Sequence, residues 1–104
     1  MIEQIFKLTK GNDKTIERLI ADENINYNHM ILGQGERLPE HFSNSTVYMT
    51  VVRGSVSIGL GDQNMHKYEA GTILKIPVDT KMKVTNEDED TLELIVVKAP
   101  APKA

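Results

Sequence analysis

The sequence contains no cysteine among its 104 residues. It can therefore form no disulfide, thiolate nucleophile or zinc–thiolate site, and nothing in it indicates an oxidising compartment. The N-terminal stretch from Met1 to Lys10 lacks the long apolar core of a signal peptide. No apolar run approaches the ~20 residues that a membrane-spanning helix needs. We expect a cytoplasmic protein that does not insert into membranes.

An excess of charge of one sign is also lacking. The 12 basic and 15 acidic residues leave a formal net charge of −3 and are interspersed along most of the chain. No basic surface is expected that would attract phosphate backbones, so nucleic acid is not an expected partner. The length allows one domain with one core. We assign residues 1–98 to that domain and residues 99–104, which include two prolines, to a flexible C-terminal tail.

Turn-forming residues recur at short intervals along the chain, which predicts many short strands. Residues 55–60 alternate between apolar and small or polar side chains, and Gly61-Asp62 follows as a hairpin turn. Residues 91–97 are rich in β-branched and apolar side chains and predict a second clear strand. Only residues 12–22 have apolar side chains at helical spacing, and within them we favour a strand over residues 15–20. The chain is predicted to be all-β with at most one short helix.

A nearly all-β chain of this size closes its edges as a barrel or as a double-sheet jelly roll. Two segments carry glycine, proline and asparagine residues at characteristic spacings. The positions are Gly35, His41 and Gly54 in the first segment, and Gly71, Pro77 and Asn86 in the second. In these positions the sequence resembles the two motifs of the cupins, and specifically a small single-domain cupin of the cupin 2 conserved-barrel type. The resemblance implies a double-sheet antiparallel β-barrel.

The metal-binding positions of the two cupin motifs are mostly substituted. Cupins with the full set hold a transition metal through three histidines and a glutamate, for dioxygenase, isomerase or decarboxylase chemistry. Here the motifs keep only His41, and Ser43, Val47 and Met82 stand at the other three positions. We therefore predict no cofactor, because a catalytic metal needs about three nitrogen or carboxylate ligands. The alternative is an isomerase-like or dioxygenase-like enzyme in which His41, joined by His29 if both face inward, holds a divalent transition metal or acts as a general base. A third hypothesis is a structural or interaction domain with a filled barrel.

Binding of a small polar molecule inside the barrel is the function that we favour at this point. His41 is the first candidate, because a neutral imidazole both donates and accepts hydrogen bonds. Ser43 and Ser45 would share its side of the chain at a period of two, and Met82 occupies the ligand position of the second motif. The expected ligand-binding residues are therefore His41, Ser43, Ser45 and Met82.

A homodimer is also expected. Residues 47–52 and 91–97 carry apolar side chains on both faces of their strands. One face packs into the barrel core, and the other needs a second partner. Cupins commonly pair through such sheet faces, so the resemblance implies that Tyr48 and Val97 lie at the contact between two copies.

Overall fold

A computed structural model describes residues 1–103, and in this range every regular element is a β-strand. The prediction of an all-β chain is confirmed, as is the choice of a strand over a helix for residues 15–20. The strands in chain order are β1 (Thr15–Ala21), β2 (Asn26–Leu32), β3 (His41–Phe42), β4 (Thr46–Arg53), β5 (Ser55–Leu60), β6 (His66–Glu69), β7 (Ile73–Ile76), β8 (Lys81–Thr85) and β9 (Leu92–Ala99).

The strands form two antiparallel sheets. The first has five strands in the order β1-β2-β9-β4-β7, and the second has four in the order β3-β8-β5-β6. The chain crosses from one sheet to the other after β2, β3, β4, β6, β7 and β8. Repeated crossing closes the two sheets into the predicted jelly-roll barrel.

The core lies between the two sheets. In β4 the inward side chains of Val47, Met49 and Val51 are almost fully buried, as their alternation predicts. The four-stranded sheet meets them with Val56 and Ile58 of β5 and with other buried aliphatic side chains. Burial of such a side chain contributes about 1.5–3 kcal/mol, so this layer is the main source of stability.

Two motif positions show why the spacing of turn residues matters. Gly54 has a φ of 75°, and a Cβ at this position would overlap the backbone carbonyl of Thr91. Asp79 stands where the cupin motif has glycine, and it adopts the left-handed conformation with a φ of 62°. Asp tolerates this region better than most residues. The turn at Asp79 therefore keeps a backbone conformation that glycine adopts freely.

The C-terminal segment makes defined contacts in the structure. Strand β9 includes Ala99, one residue past the expected domain boundary. The carbonyl of Pro100 accepts a hydrogen bond from the Ser45 hydroxyl, and the Ala101 N–H donates to the Asn24 carbonyl at 3.0 Å. The first residues of the predicted tail are thus attached to the barrel, while Ala104 lies outside the described residues. Within residues 1–103, no helix has the length and apolar character that a membrane crossing requires.

The overlap at Gly54 predicts a large loss of stability in Gly54→Ala. Both Gly54 and Gly61 have positive φ, but the space around a Cβ at Gly61 is open. Gly61→Ala should cost about 1–2 kcal/mol, the usual penalty of a left-handed residue, whereas Gly54→Ala should cost at least about 1 kcal/mol more. Urea denaturation measures both free energies of unfolding. Equal losses in the two variants would contradict the steric role assigned to Gly54.

Candidate functional site

A small cavity of about 50 Å³ lies between the two sheets at one end of the barrel. The five-stranded sheet contributes inward-facing residues of β2, β4 and β9, and the other wall comes from β3, β8 and the loop before β3. Most of the lining is apolar. The lining residues are Asn28, Met30, Leu38, His41, Val47, Met49, Met82, Val96 and Lys98. An apolar pocket with a few polar groups is the usual form of a small-molecule site.

His41 and Met82, two of the predicted site residues, come together in this cavity. They are directly paired across the antiparallel strands β3 and β8. Met82 is buried, whereas His41 is exposed at the mouth. The Nδ1 atom of His41 lies 2.9 Å from the Pro39 carbonyl oxygen, which can only accept. In the neutral ring Nδ1 therefore donates, and Nε2 is left as an acceptor.

Asn28 is a site residue that the sequence analysis missed. It pairs with Val96 in the next strand and shares the inward face with Met30, so its side chain lies in the wall of the cavity. Only 8% of its surface is exposed, and its Oδ1 atom has no hydrogen-bond partner among the described residues. Such an orphaned buried acceptor is costly. The alternation of Asn28 with Met30 and Leu32 is a signal from which its inward orientation could have been inferred.

Lys98 is a second residue of the cavity that was not predicted from the sequence. It lies two positions beyond Val96 on the same face of β9 and lines the cavity while remaining half-buried. Burial lowers the pKa of its ammonium group from the ordinary 10.5, and the nearby positive charge of Arg18 lowers it further. Arg18 pairs with Asn28 across β1 and β2, so the two cations flank the amide on one side of the sheet.

Ser43 and Ser45 do not line this cavity. The Ser43 hydroxyl donates to the Pro77 carbonyl at 2.7 Å and accepts from the Thr80 N–H at 2.9 Å. Ser45 donates to Pro100. Residues 43–45 connect β3 in one sheet to β4 in the other. Side chains alternate regularly only within a strand, so the two serines do not lie on the same side as His41. Both hydroxyls instead hold neighbouring backbone segments together.

His29 lies on the opposite face of the five-stranded sheet, and the structure does not bring it together with His41. Its ring is fully buried, with Nδ1 2.7 Å from a Glu17 oxygen and Nε2 2.5 Å from a Glu93 oxygen. Both carboxylates are satisfied when each ring nitrogen carries a hydrogen. Glu93 also accepts from Arg53 at 3.1 Å. We call these four residues the His29 cluster.

The His29 cluster fastens the segment that precedes β1. Glu17 accepts hydrogen bonds from the N–H and the hydroxyl of Thr9. Arg53 donates to the Gly11 carbonyl and to the Asn12 side chain, both at 2.7 Å. The cluster therefore joins three adjacent strands and β4 to residues 9–12. The partners Glu17 and Glu93 are far from His29 in sequence, so no local signal predicts this contact.

Neither the motif positions around His41 nor the His29 cluster has the ligand atoms of a cupin metal centre. In the motif positions, the Ser43 hydroxyl is used by backbone groups, Val47 has no donor, and Met82 offers only a thioether. In the His29 cluster the two carboxylates lie at opposite ring nitrogens, so one ion on the ring could not also reach both. The residues present do not fit a transition metal held by three or four ligands.

A larger groove of about 580 Å³ lies outside the barrel and is more open to solvent. Its walls include Ser45 in the turn before β4, Val78 in the loop between β7 and β8, and Pro102 in the C-terminal segment. The cavity between the sheets is the better candidate, because it is more enclosed and its wall contains the unpartnered oxygen of Asn28.

The His29 cluster predicts a specific response to acid. The hydrogen bond with His29, together with those from Thr9, lowers the pKa of Glu17 from its ordinary 4.5. A carboxyl group of this kind stabilises the fold above its unfolded pKa, and that contribution is lost as the pH falls through the lower folded pKa. Glu17→Gln should therefore be less stable at neutral pH and lose less stability on acidification. Denaturant unfolding across a pH series tests this, with the exposed Glu89→Gln as control. Parallel pH profiles for Glu17→Gln and the unmutated protein would contradict the role of Glu17.

Comparison with known proteins supports the assignment of the fold. No family model matches the chain. An uncharacterized protein of Methanocaldococcus jannaschii, MJ0764, is 38% identical over 104 residues, which cover 99% of this chain and 90% of that protein. Its crystal structure, described as an RmlC-like cupin with a double-stranded β-helix fold, superposes with a TM-score of 0.95 over 98% of this chain and 94% of that one.

A more distant structure has the same architecture. An uncharacterized conserved protein from Klebsiella pneumoniae with a double-stranded β-helix domain gives a TM-score of 0.81 at 14% identity, over 95% of this chain and 91% of that one. This likeness shows the fold alone, whereas the M. jannaschii protein is similar along almost the whole sequence. The chain has the two sheets and the motif turns of this fold, and it is 38% identical to the M. jannaschii protein over almost its whole length. It therefore belongs to the RmlC-like cupin family.

Proposed function

We propose that this protein binds a small polar molecule in the cavity between its two sheets, without the metal centre of full-ligand cupins. The observation that carries the proposal is the Asn28 side chain, which is 92% buried in the cavity wall and has an unpartnered Oδ1 among the described residues. A buried acceptor without a partner costs about 1–3 kcal/mol. A bound molecule that donates a hydrogen bond to it would recover this free energy.

His41 and Lys98 support the same proposal. Together with Asn28 they are the polar side chains in an otherwise apolar lining. Three polar groups that converge on one apolar cavity can orient a ligand by hydrogen bonds while the methionine and valine side chains exclude water. Ser43 and Ser45 act in this proposal as structural residues that shape the loop beside the cavity.

An enzyme that uses His41 is the alternative. The Nε2 atom of its neutral ring is an acceptor and could take a proton from a bound substrate. A metal-dependent enzyme is less well supported, because the donors that would accompany His41 are absent from its motif positions. The two functions share the cavity and differ in whether the bound molecule is chemically changed.

The five methionines provide a direct test of binding. Met30, Met49 and Met82 line the cavity, whereas Met1 and Met65 are exposed elsewhere. We expect that titration with small polar probes (acetamide, glycerol or acetate) shifts the methyl NMR signals of the first three and leaves the other two unchanged. Shifts confined to Met1 and Met65, or none with any probe, would contradict the proposal.

A matched pair of variants controls for effects outside the cavity. Val96 lines the cavity, and its neighbour Val97 lies on the opposite face of β9. Val96→Ile places a methylene group in the small cavity and should weaken probe binding, whereas Val97→Ile adds the same group elsewhere and should not.

We also propose that two copies associate through the outer face of the five-stranded sheet. Ile73 is 68% exposed and lies opposite Thr50, while Tyr48 lies opposite Val97 on the same face. Exposed large apolar side chains that adjoin on one sheet face are typical of an interface between proteins. The expected homodimer would cover them.

The association is tested with Ile73→Asp. A charge at this position should shift the dimer towards monomer, because it would be buried without a partner in the interface. Val78→Asp is the matched control, since Val78 is 50% exposed but lies in a loop outside the sheets. Sedimentation velocity measures both. A monomer for the unmutated protein at high concentration would refute the proposal.

A further inference from the structure

The charges at the mouth of the cavity indicate which class of molecule it binds. We infer that the ligand is a small hydroxycarboxylate, with its carboxylate at Lys98 and its hydroxyl group between His41 and Asn28. This inference rests on the proposed function, since it names the ligand of the same cavity.

Lys98 and Arg18 carry positive charges that no neighbouring carboxylate in residues 1–103 balances. Arg53, Lys67 and Lys81 each form an ion pair with a carboxylate. Among residues 1–103, no carboxylate lies within ion-pair distance of Lys98 or Arg18. Burial lowers the pKa of Lys98, and the positive charge of Arg18 lowers it further.

The register places these cations on the ligand side of the sheet. Arg18 lies opposite Asn28, Asn28 lies opposite Val96, and Lys98 follows Val96 by two residues on the same face. Lys98 lines the cavity itself. An anion at this position would balance these charges and form charge-assisted hydrogen bonds, which are about twice as strong as neutral ones.

The hydrogen-bonding character of the other two polar groups also narrows the choice of ligand. The Oδ1 atom of Asn28 is an acceptor without a partner in residues 1–103, and the hydrogen bond at Nδ1 leaves Nε2 of His41 as an acceptor in the neutral ring. The buried Oδ1 atom calls for a donor on the ligand, whereas Nε2 of the exposed His41 can accept from water instead. A simple carboxylate lacks such a donor, whereas a hydroxyl group on the neighbouring carbon supplies it.

The size of the cavity also limits the choice of ligand. A volume of about 50 Å³ has room for roughly three water molecules, which limits the enclosed part of a ligand to a few heavy atoms. The aliphatic wall of Met30, Met49 and Val96 accommodates a methyl group better than a second charge. Lactate has this combination of groups and serves as the probe, with its hydroxyl, central carbon and methyl group enclosed and its carboxylate at the mouth beside Lys98.

The experiment compares lactate with lactamide, propionate and inorganic phosphate, using the methyl signals of the cavity methionines to obtain Kd. Lactamide removes the charge, propionate removes the hydroxyl group, and phosphate tests for a site that takes any anion. We expect lactate to bind about tenfold or more tightly than each of the others, a difference of about 1.4 kcal/mol. Lactamide loses the charge-assisted hydrogen bond with Lys98, propionate leaves the buried Asn28 acceptor without a donor, and phosphate brings further charge against the aliphatic wall.

Variants at two lysines assign the charge. Lys98→Met keeps the length of the side chain and should abolish the preference for lactate over lactamide. Lys98→Arg should restore it in part. Lys75→Met is the matched control, because Lys75 lies over the Tyr48 ring on the outer face, away from the cavity. It should leave all four affinities unchanged.

The outcomes separate this inference from the proposed function. If lactate and lactamide bind equally and both shift the cavity methionines, the carboxylate assignment is wrong while the binding function stands. If phosphate binds as tightly as lactate, the site is one for inorganic anions and the hydroxycarboxylate is refuted. If no probe, charged or neutral, shifts Met30, Met49 or Met82, both fail together.

Discussion

The packing of the two sheets against each other is the constraint on which the rest of the structure depends. The nine short strands of residues 1–103 can bury an apolar layer only if each presents one face inward, and the six crossings between sheets in this range keep Val47, Met49 and Val51 opposite Val56 and Ile58. A polar group within this layer costs free energy unless it has a partner. Asn28 therefore stands out, because its Oδ1 atom has no partner among residues 1–103, and with the exposed His41 and the half-buried Lys98 it surrounds one cavity at one end of the layer. The candidate site lies where polar side chains replace the apolar ones at the end of this layer.

The two faces of the five-stranded sheet carry different groups of polar and apolar side chains. The inner face carries the cavity. The outer face carries the His29 cluster, which satisfies a fully buried imidazole with two carboxylates and joins the segment before β1 to the sheet. It also carries the exposed apolar side chains that we assign to a dimer contact. A histidine that sequence reasoning offered as a metal ligand is thus part of a hydrogen-bonded structural cluster, and its distance from His41 follows from the alternation of side chains along β2.

Much of the fold could be predicted from the sequence, because it depends on local patterns. The alternation in residues 55–60 gave the bounds of β5 without error, and the motif positions Gly54 and Gly71 have the positive φ that glycine permits. The inward parity of residues 47, 49 and 51 is confirmed for the same reason. These features need only the period of a strand and the geometry of a turn.

The site was harder to predict because it depends on contacts between distant strands. His41 and Met82 could be named from the motifs, and the structure pairs them. Ser43 and Ser45 could not be oriented, since the chain leaves one sheet and enters the other between them. Lys98 lies 70 residues after Asn28 in the sequence, and only the register of β2 with β9 brings both to one cavity.

We propose that the cavity between the sheets is a binding site in which the ammonium group of Lys98 pairs with the carboxylate of the ligand. A crystal structure of the protein grown with lactate tests it most directly. We expect electron density in the cavity, with carboxylate oxygens within hydrogen-bonding distance of the Lys98 Nζ atom and the hydroxyl group beside Asn28 and His41. A cavity filled only by water, or lactate bound solely at the outer groove lined by Val78 and Pro102, would contradict it.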